Sequence, residues 1–528
     1  MPTNSIPALL MSSDLLPGGG PLNGRRWAGL QLLRLWSELA KGQELNLVVA
    51  DHGLGDQVDQ LLRTSGATVR VTTHGLCDLE SIEKCGSLMI PDPGVGLWSH
   101  LRDATSQPAG ISLIGQIHTL CTVGAMTLLE RIVSDNVFSW DALICSSSAG
   151  RDVVQRIMEQ QEGRLARLAN VPTSRLSSHR PQLPIIPLPM PVRDIQKNLP
   201  SRAEARLQLG LPANAHVILW IGRLSLLAKA DLAPTYQILE RLASKHSRKL
   251  VLIELGPNST PNEVASLEGL RNKCKFLRFL RLGGDQPVSE FIKHQALAAA
   301  DLAISLVDNV QETFGQSLVE AMAAGLPIVA SDWDGYRDLV HHGRDGFLVP
   351  TSWAQISTAV SCSLGWQHRL GIFPYQTYAG ALSQLVRIDL EAAFSALMTL
   401  LGDSALRRAM GTAAAKTAYR KFDRSVVING YKELFNDLED RRRSANHSWR
   451  QAGNPPLPID PVSCFSDFAS SNQCSGNIAA FESIGFCDFP QELLTSHQHI
   501  WRLLELTCPI ERRQEMLQAI WHKHHFTC

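Results

Sequence analysis

Short apolar runs separated by amphipathic stretches recur from the start of this chain to about residue 350, and no other feature constrains its fold so tightly. IPALLM, LNLVVA, VRVTT, SLMIP, ISLIG, ALICSSS and PIIPL follow one another, with helical patterns such as LQLLRLWSELA between them. A short apolar run suits a strand buried on both faces, and its alternation with helices predicts βαβ units and a parallel sheet. A charged connector, RDIQKNLPSRAEARLQLGL, leads to a second series: HVILWIG, KLVLIEL, CKFLRFL, DLAISLV and PIVASD. The pattern predicts an α/β chain with two doubly wound sheets, residues 1–191 and 192–445, facing a cleft where ligands commonly bind. From about Ser352 the second domain turns helical, and NPPLPIDP marks a linker by its prolines. Residues 446–528 read as a helical appendage. Its amphipathic stretches, LLTSHQHIWRLLEL and ERRQEMLQAIWHKHH, need a partner surface, either the body of the protein or another chain.

The chain has 528 residues, 44% of them hydrophobic, so it can bury a large core and divide into two or three domains. Fifty basic residues balance fifty acidic ones, which removes the broad positive field of a nucleic-acid-binding protein. A charged ligand must be met locally. The N-terminal apolar run is short, lacks a basic leader and is interrupted by Pro7, so it reads as a first strand rather than a signal peptide. No stretch approaches the roughly 18 apolar residues of a membrane span, and a cytoplasmic protein is expected. The 11 cysteines include no C-x-x-C pair and read as reduced and mostly buried.

The chemistry concentrates in QETFGQSLVEAMAAGLPIVASD, residues 311–332. DNVQETFG reads as a loop, QSLVEAMAA as a helix, Gly325 as its stop and LPIVASD as the next strand. Loops at the carboxyl ends of parallel strands face the ligand crevice, which places Glu312 there. Gly315 permits close backbone approach, and the helix beginning beside it offers free N–H groups to a phosphate. At about 100° per residue, Glu320 lies about 150° from the Leu318, Val319 and Met322 stripe, beside Gln316 and Ser317 and away from the packing side. A lone glutamate there is usually a solvated surface residue. Two carboxylates beside a diphosphate repel it unless they accept hydrogen bonds from hydroxyls, and a sugar nucleotide supplies that mixture. Arg223 and Lys229, in LWIGRLSLLAK, supply positive charge from the first strand of the same domain. At about 4 Å and an effective dielectric near 20, each is worth on the order of 4 kcal/mol to a full negative charge.

These residues resemble the GT-B glycosyltransferases, specifically the large retaining group called glycosyltransferase family 4, or glycosyl transferases group 1. The resemblance rests on GRLSLLAK at 222–229, LVLIELG at 250–256, ETFGQSLVEAMAAGLPIVASD at 312–332 and DGFLVP at 345–350. It covers the second domain; the first matches in pattern only. It implies a GT-B fold, two Rossmann-like domains facing a cleft, here with the helical C-terminal appendage added. The implied activity is transfer of a hexose from a UDP-, GDP- or ADP-sugar to a glycan or lipid-linked acceptor. Configuration would be retained, with no cofactor and no metal needed for the chemistry.

By the same resemblance Glu320 holds the donor ribose diol and Glu312 lies near the transferred sugar. Phe314, Gly315, Gln316 and Ser317 line the diphosphate or sugar, and Arg223 and Lys229 form a cationic clamp. Lys229 departs from the family in lying six residues after Arg223, where five is commoner, and Ala230 stands where glycine often follows. In PGGGPLNG (17–24), Gly18, Gly19 and Gly20 resemble the family's cleft loop. His118, closing ISLIGQIHTLC, resembles a cleft histidine that touches the transferred sugar.

Other motifs compete. Gly18, Gly20 and Gly24 before a helix, with Asp51 ending the next strand, mimic a dinucleotide site, but G-x-G-x-x-x-G is not the expected spacing. Asp332, Trp333 and Asp334 mimic a D-x-D metal motif in a loop where relatives close over the donor. His497 shares an apolar face with Leu493, Ile500 and Leu504 and reads as a core histidine, and the terminal HKHHFTC as a frayed end. A carbohydrate-binding or assembly subunit, and a sugar-nucleotide epimerase, remain alternatives on this fold. Peripheral membrane contact and a protein partner for the C-terminal helices are the further partner expectations.

Overall fold

The computed structural model describes residues 6–445, apart from 17–23, 51–52, 65, 77, 106–108, 177–179, 246 and 286–287, and apart from the side chains of 24, 25, 79, 104 and 105. Gly18, Gly19, Gly20, Asp51, His497 and the appendage 446–528 lie outside the described residues.

The alternating runs form two six-stranded sheets in which every pairing is parallel. The first contains β1 (Ala8–Met11), β2 (Glu44–Val49), β3 (Arg70–Gly75), β4 (Ser87–Ile90), β5 (Ser112–Gln116) and β6 (Ala142–Ile144), in the order β3-β2-β1-β4-β5-β6. The second contains β7 (His216–Ile221), β8 (Leu250–Leu255), β9 (Arg278–Leu282), β10 (Leu302–Ser305), β11 (Ile328–Ser331) and β12 (Gly346–Val349), in the order β12-β11-β10-β7-β8-β9. Each order reverses once, between β1 and β4 and between β7 and β10, and such reversals open crevices at the carboxyl ends of the strands. Helices cover both faces, so each sheet is flanked by two apolar clusters. Among the described residues no helix is long and apolar enough to cross a membrane. Of the described free cysteines, Cys85, Cys121 and Cys145 are buried, Cys274 is half-buried and Cys362 is exposed.

Two expectations are corrected. PIIPL is not a strand: Gln182 and Ile185 make isolated parallel bridges to Ala142 and Cys145. Its prolines have no N–H to continue a ladder, so the segment borders β6 through single bonds such as Ile186 N–H to the Cys145 carbonyl, 3.0 Å. The second domain also gives up its last helix. Arg424–Arg443 crosses back, and its Val427, Tyr431, Leu434 and Leu438 join the first-domain core around Trp36. Trp36 and Tyr431 meet edge to face at 5.5 Å. Burying each such side chain stabilises the crossing by roughly 1.5–3 kcal/mol. The outgoing and returning chains run side by side, the Met190 amide donating to the Phe422 carbonyl (2.8 Å) and the Arg424 amide to the Met190 carbonyl (2.9 Å).

Candidate active site

The loops that follow β7 and β10 carry the predicted charges to one place, because these strands are neighbours at the reversal of the second sheet. Glu312, beyond β10, is ion-paired with Lys229, beyond β7. The extra residue between Arg223 and Lys229 is absorbed by a turn in which the amides of Lys229 and Ala230 both donate to the Ser225 carbonyl, at 3.2 Å each. Glu263 holds this turn, accepting from the Ser225 hydroxyl (2.8 Å) and the Leu227 amide (3.1 Å). Burial works against its charge, but hydrogen bonds from Ser259, Leu227 and Ser225 outweigh it and bring the carboxyl down to about 2. Sequence reasoning missed Glu263; the signal was the T-P-N-E capping box at 260–263. The Arg223 guanidinium donates to the Ala228 carbonyl at 3.4 Å, within the same loop.

Gly315 sits at φ 111° and ψ 56° and caps the helix Gln316–Ala323. The first amides of that helix, on Gln316 and Ser317, have no intrahelical acceptor by geometry and carry its positive dipole end. Both residues remain partly exposed. Phe314 differs from expectation: it is 4% exposed and meets Phe422 edge to face at 5.8 Å. Its side chain belongs to the core, so a donor contact at 314 falls to the backbone.

Glu320 also differs. The helical wheel put it on a solvated side, yet it is 7% exposed and ion-paired at 3.0 Å with Lys293, from the helix Glu290–Ala299. Leu318 to Ala323 are all buried, so this helix has no open flank at Glu320. Burial would lower the Lys293 pKa, but the charges of Glu320 and Glu290 outweigh it and hold the ammonium above an ordinary lysine.

The first domain closes on this site through Thr313, which sequence reasoning also missed. Its hydroxyl donates to the His118 carbonyl at 2.5 Å, and its carbonyl accepts from the Ser146 hydroxyl at 3.1 Å. Close by in the chain, Asp338 accepts from the Ser148 amide (2.5 Å) and hydroxyl (2.8 Å). The backbone of the partly buried His118 is therefore held against the loop of Glu312. Of the D-x-D mimic, Asp332 pairs with Arg337 at 2.9 Å, while Asp334 adopts φ 43° and feels the charge of Glu312.

Burial first, and then Glu312, push the Asp334 carboxyl from 3.8 up to about 8. Between those values the unfolded chain ionises this group while the folded chain keeps its proton, so its contribution to stability falls as pH rises through the window. Asp334→Asn keeps the shape and the tolerance for positive φ without the titration. It should gain about 1–2 kcal/mol on wild type between pH 4.5 and pH 8, less than the full shift because water still reaches Asp334. Urea unfolding at both pH values checks this, and a constant gap would contradict it.

Comparison with known proteins gives these loops a class. Residues 215–364 match the family model described as Glycosyl transferases group 1. This part of the chain is thus similar to group 1 glycosyltransferase domains, and the two parallel sheets make the fold GT-B. Among curated relatives, the D-inositol 3-phosphate glycosyltransferase of Thermobifida fusca (strain YX) is 26% identical over 312 residues, 56% of this chain and 67% of that protein. The enzyme of that name from Nocardioides sp. (strain ATCC BAA-499 / JS614) is 33% identical over 194 residues, covering 35% of this chain and 40% of its own length. The matched region thus spans between 40% and 67% of these two relatives. Among solved structures, a glycosyltransferase from Rickettsia africae ESF-5 superposes with a TM-score of 0.51 at 11% identity, covering 82% of this chain and 98% of that one. That likeness shows the fold.

Proposed function

We propose that this chain is a retaining hexosyltransferase that takes a hexose from a UDP-, GDP- or ADP-sugar, acting in the cytoplasm without a bound metal. The observation that carries the reading is the Lys229–Glu312 pair at the strand-order reversal, beside Arg223 and the amino end of the helix Gln316–Ala323. A pyrophosphate takes the place of negative charge at Lys229, Arg223 and the amides of Gln316 and Ser317. Glu312, relieved of its cation, accepts from hydroxyls of the transferred sugar, and Glu320 shares its buried site with the ribose diol and Lys293. As the bond to the sugar breaks, charge grows on the leaving diphosphate, and the fixed cations and amides stabilise that charge more than the ground state. Retention follows from attack on the face the leaving group vacates, with the diphosphate oxygen taking the acceptor proton.

The acceptor meets the donor from the first-domain side, at His118. We propose a glycan or lipid-linked acceptor. Because the relatives above are named for D-inositol 3-phosphate, a phosphorylated polyol belongs in the same acceptor panel. The test is a thermal-shift screen of UDP-, GDP- and ADP-sugars, followed by release of nucleoside diphosphate without acceptor. One base should raise the melting temperature, and its hexose conjugate should be cleaved slowly. Binding with no cleavage and no transfer would overturn the enzymatic reading.

A further inference from the structure

After β12 the second domain makes an excursion. Its stem is β13 (Thr351–Trp353), paired antiparallel with β14 (Val386–Ile388), and its body is the helices Thr358–Arg369 and Tyr375–Ser383. The excursion reaches the first domain. His368, 3% exposed, places Nε2 2.9 Å from the Cys121 carbonyl oxygen and Nδ1 2.9 Å from that of Phe373. Its ring stacks on Tyr378 at 4.2 Å and 3°. The next residue, Arg369, forms an ion pair with Glu130 at the end of the first-domain helix Val123–Arg131.

The same excursion also meets the cationic loop of the active site. The Tyr375 hydroxyl is hydrogen-bonded with Thr119 and Cys121 and feels the charge of Arg223. Gly380 packs so closely on Leu227 that a Cβ there would stand 2.7 Å from its Cδ2. One small helical body therefore touches both the segment that carries His118 and the turn that carries Arg223 and Lys229.

Residues 117–122 are anchored by Ile117 and Leu120 in the first-domain core and by Thr122 as the cap of the helix Val123–Arg131, and between them the His118 and Cys121 carbonyls bond to the second domain. They follow β5 as a loop and have no sheet partner beyond the Ile117 amide, which donates to the Ile144 carbonyl at 3.0 Å. Thr313 grips the His118 carbonyl from one side, and His368 grips the Cys121 carbonyl from the other. A buried imidazole lodged between two carbonyls and stacked on a ring is a stiff connector: with the proton on Nε2 it donates to Cys121, and rotation about its side-chain bonds would break that bond and the stack.

We infer that His368 is a positioning residue: from the second domain it holds the loop 117–122, and with it His118, against the donor-binding loops. This rests on the proposed sugar transfer. The side chain acts through the Cys121 backbone, so it sets the geometry of the transferred sugar without holding the nucleotide.

The test uses the full chain with His368→Ala and His368→Gln, the latter keeping one donor and most of the volume. Amide hydrogen exchange over 117–122 should quicken about 10-fold in the Ala variant, as expected when one hydrogen bond is lost. Turnover should fall about 10- to 100-fold with the donor KM within about 2-fold of wild type, because small misplacements act on the chemical step. The Gln variant should recover part of both. Unchanged exchange, or faster exchange with unchanged turnover, would overturn the proposal. If wild type turns over no donor, the transfer reading fails on its own, and exchange alone then decides whether His368 fixes the loop.

Discussion

Glu312→Gln should lower release of nucleoside diphosphate by about 10³-fold while nucleotide binding changes little, the scale seen when one preorganised electrostatic group is removed from a reacting centre. The substitution keeps the shape and removes the charge. Lys229, 17% exposed at its side chain, then loses the partner it holds without donor. In the proposed donor complex that lysine would face the diphosphate in both proteins, so affinity should be largely preserved. What is lost is the acceptor for sugar hydroxyls and the negative charge beside a centre that becomes electron-poor as the leaving group departs. Single-turnover release against time, at saturating donor, measures this. A variant with wild-type release and a weaker donor affinity would make Glu312 a binding group only.

Gly315→Ala should be the most damaging small substitution in the site, destabilising by about 2–5 kcal/mol. Two causes add. The backbone sits at φ 111°, where an L side chain is strained, and a Cβ there would lie 2.5 Å from Cε1 of Tyr336. Tyr336 cannot yield easily, being 0% exposed with its hydroxyl 2.9 Å from that of Ser305. Gly325, which ends the same helix at φ 76°, separates the causes, because its nearest neighbour to a Cβ is the Gly411 carbonyl oxygen at 3.8 Å. Gly325→Ala should therefore cost only the conformational share, about 1–2 kcal/mol. Urea unfolding of the two variants side by side decides this, and equal losses would mean that the Tyr336 contact is not what requires glycine at 315.

The parts of this site that the sequence made legible are those dictated locally. Period, glycine placement and apolar run length specify the β10 loop, the helix Gln316–Ala323, its stop at Gly325 and the strand that follows. Lys229 and Glu312 meet because neighbouring parallel strands send their loops to the same edge. Long-range partners were not legible. The helical wheel counts apolar neighbours on the helix itself, so it could not see Lys293 covering Glu320 from 27 residues upstream. Phe314 looked like a site residue because it lies inside the motif, yet its partner, Phe422, is more than a hundred residues away. The return of Arg424–Arg443 to the first sheet is set by Trp36 and the apolar face around it, and a linear reading assigns such a helix to the domain it follows. Thr313 lies inside the 312–332 stretch, Asp334 inside the D-x-D mimic and His368 in no motif, and the contacts of Thr313 and His368 appear only once the facing domain is in place.

The central claim is that acidic side chains hold hydroxyls while amides and cations hold the pyrophosphate. A crystal structure with an uncleaved nucleotide sugar tests it most directly. The account predicts the diphosphate on the Gln316 and Ser317 amides and on Arg223 and Lys229, with Glu320 oxygens bonded to the ribose hydroxyls and Glu312 released toward the hexose. A donor bound elsewhere, with Glu312 still locked to Lys229 and Glu320 bonded to Lys293 alone, would contradict it.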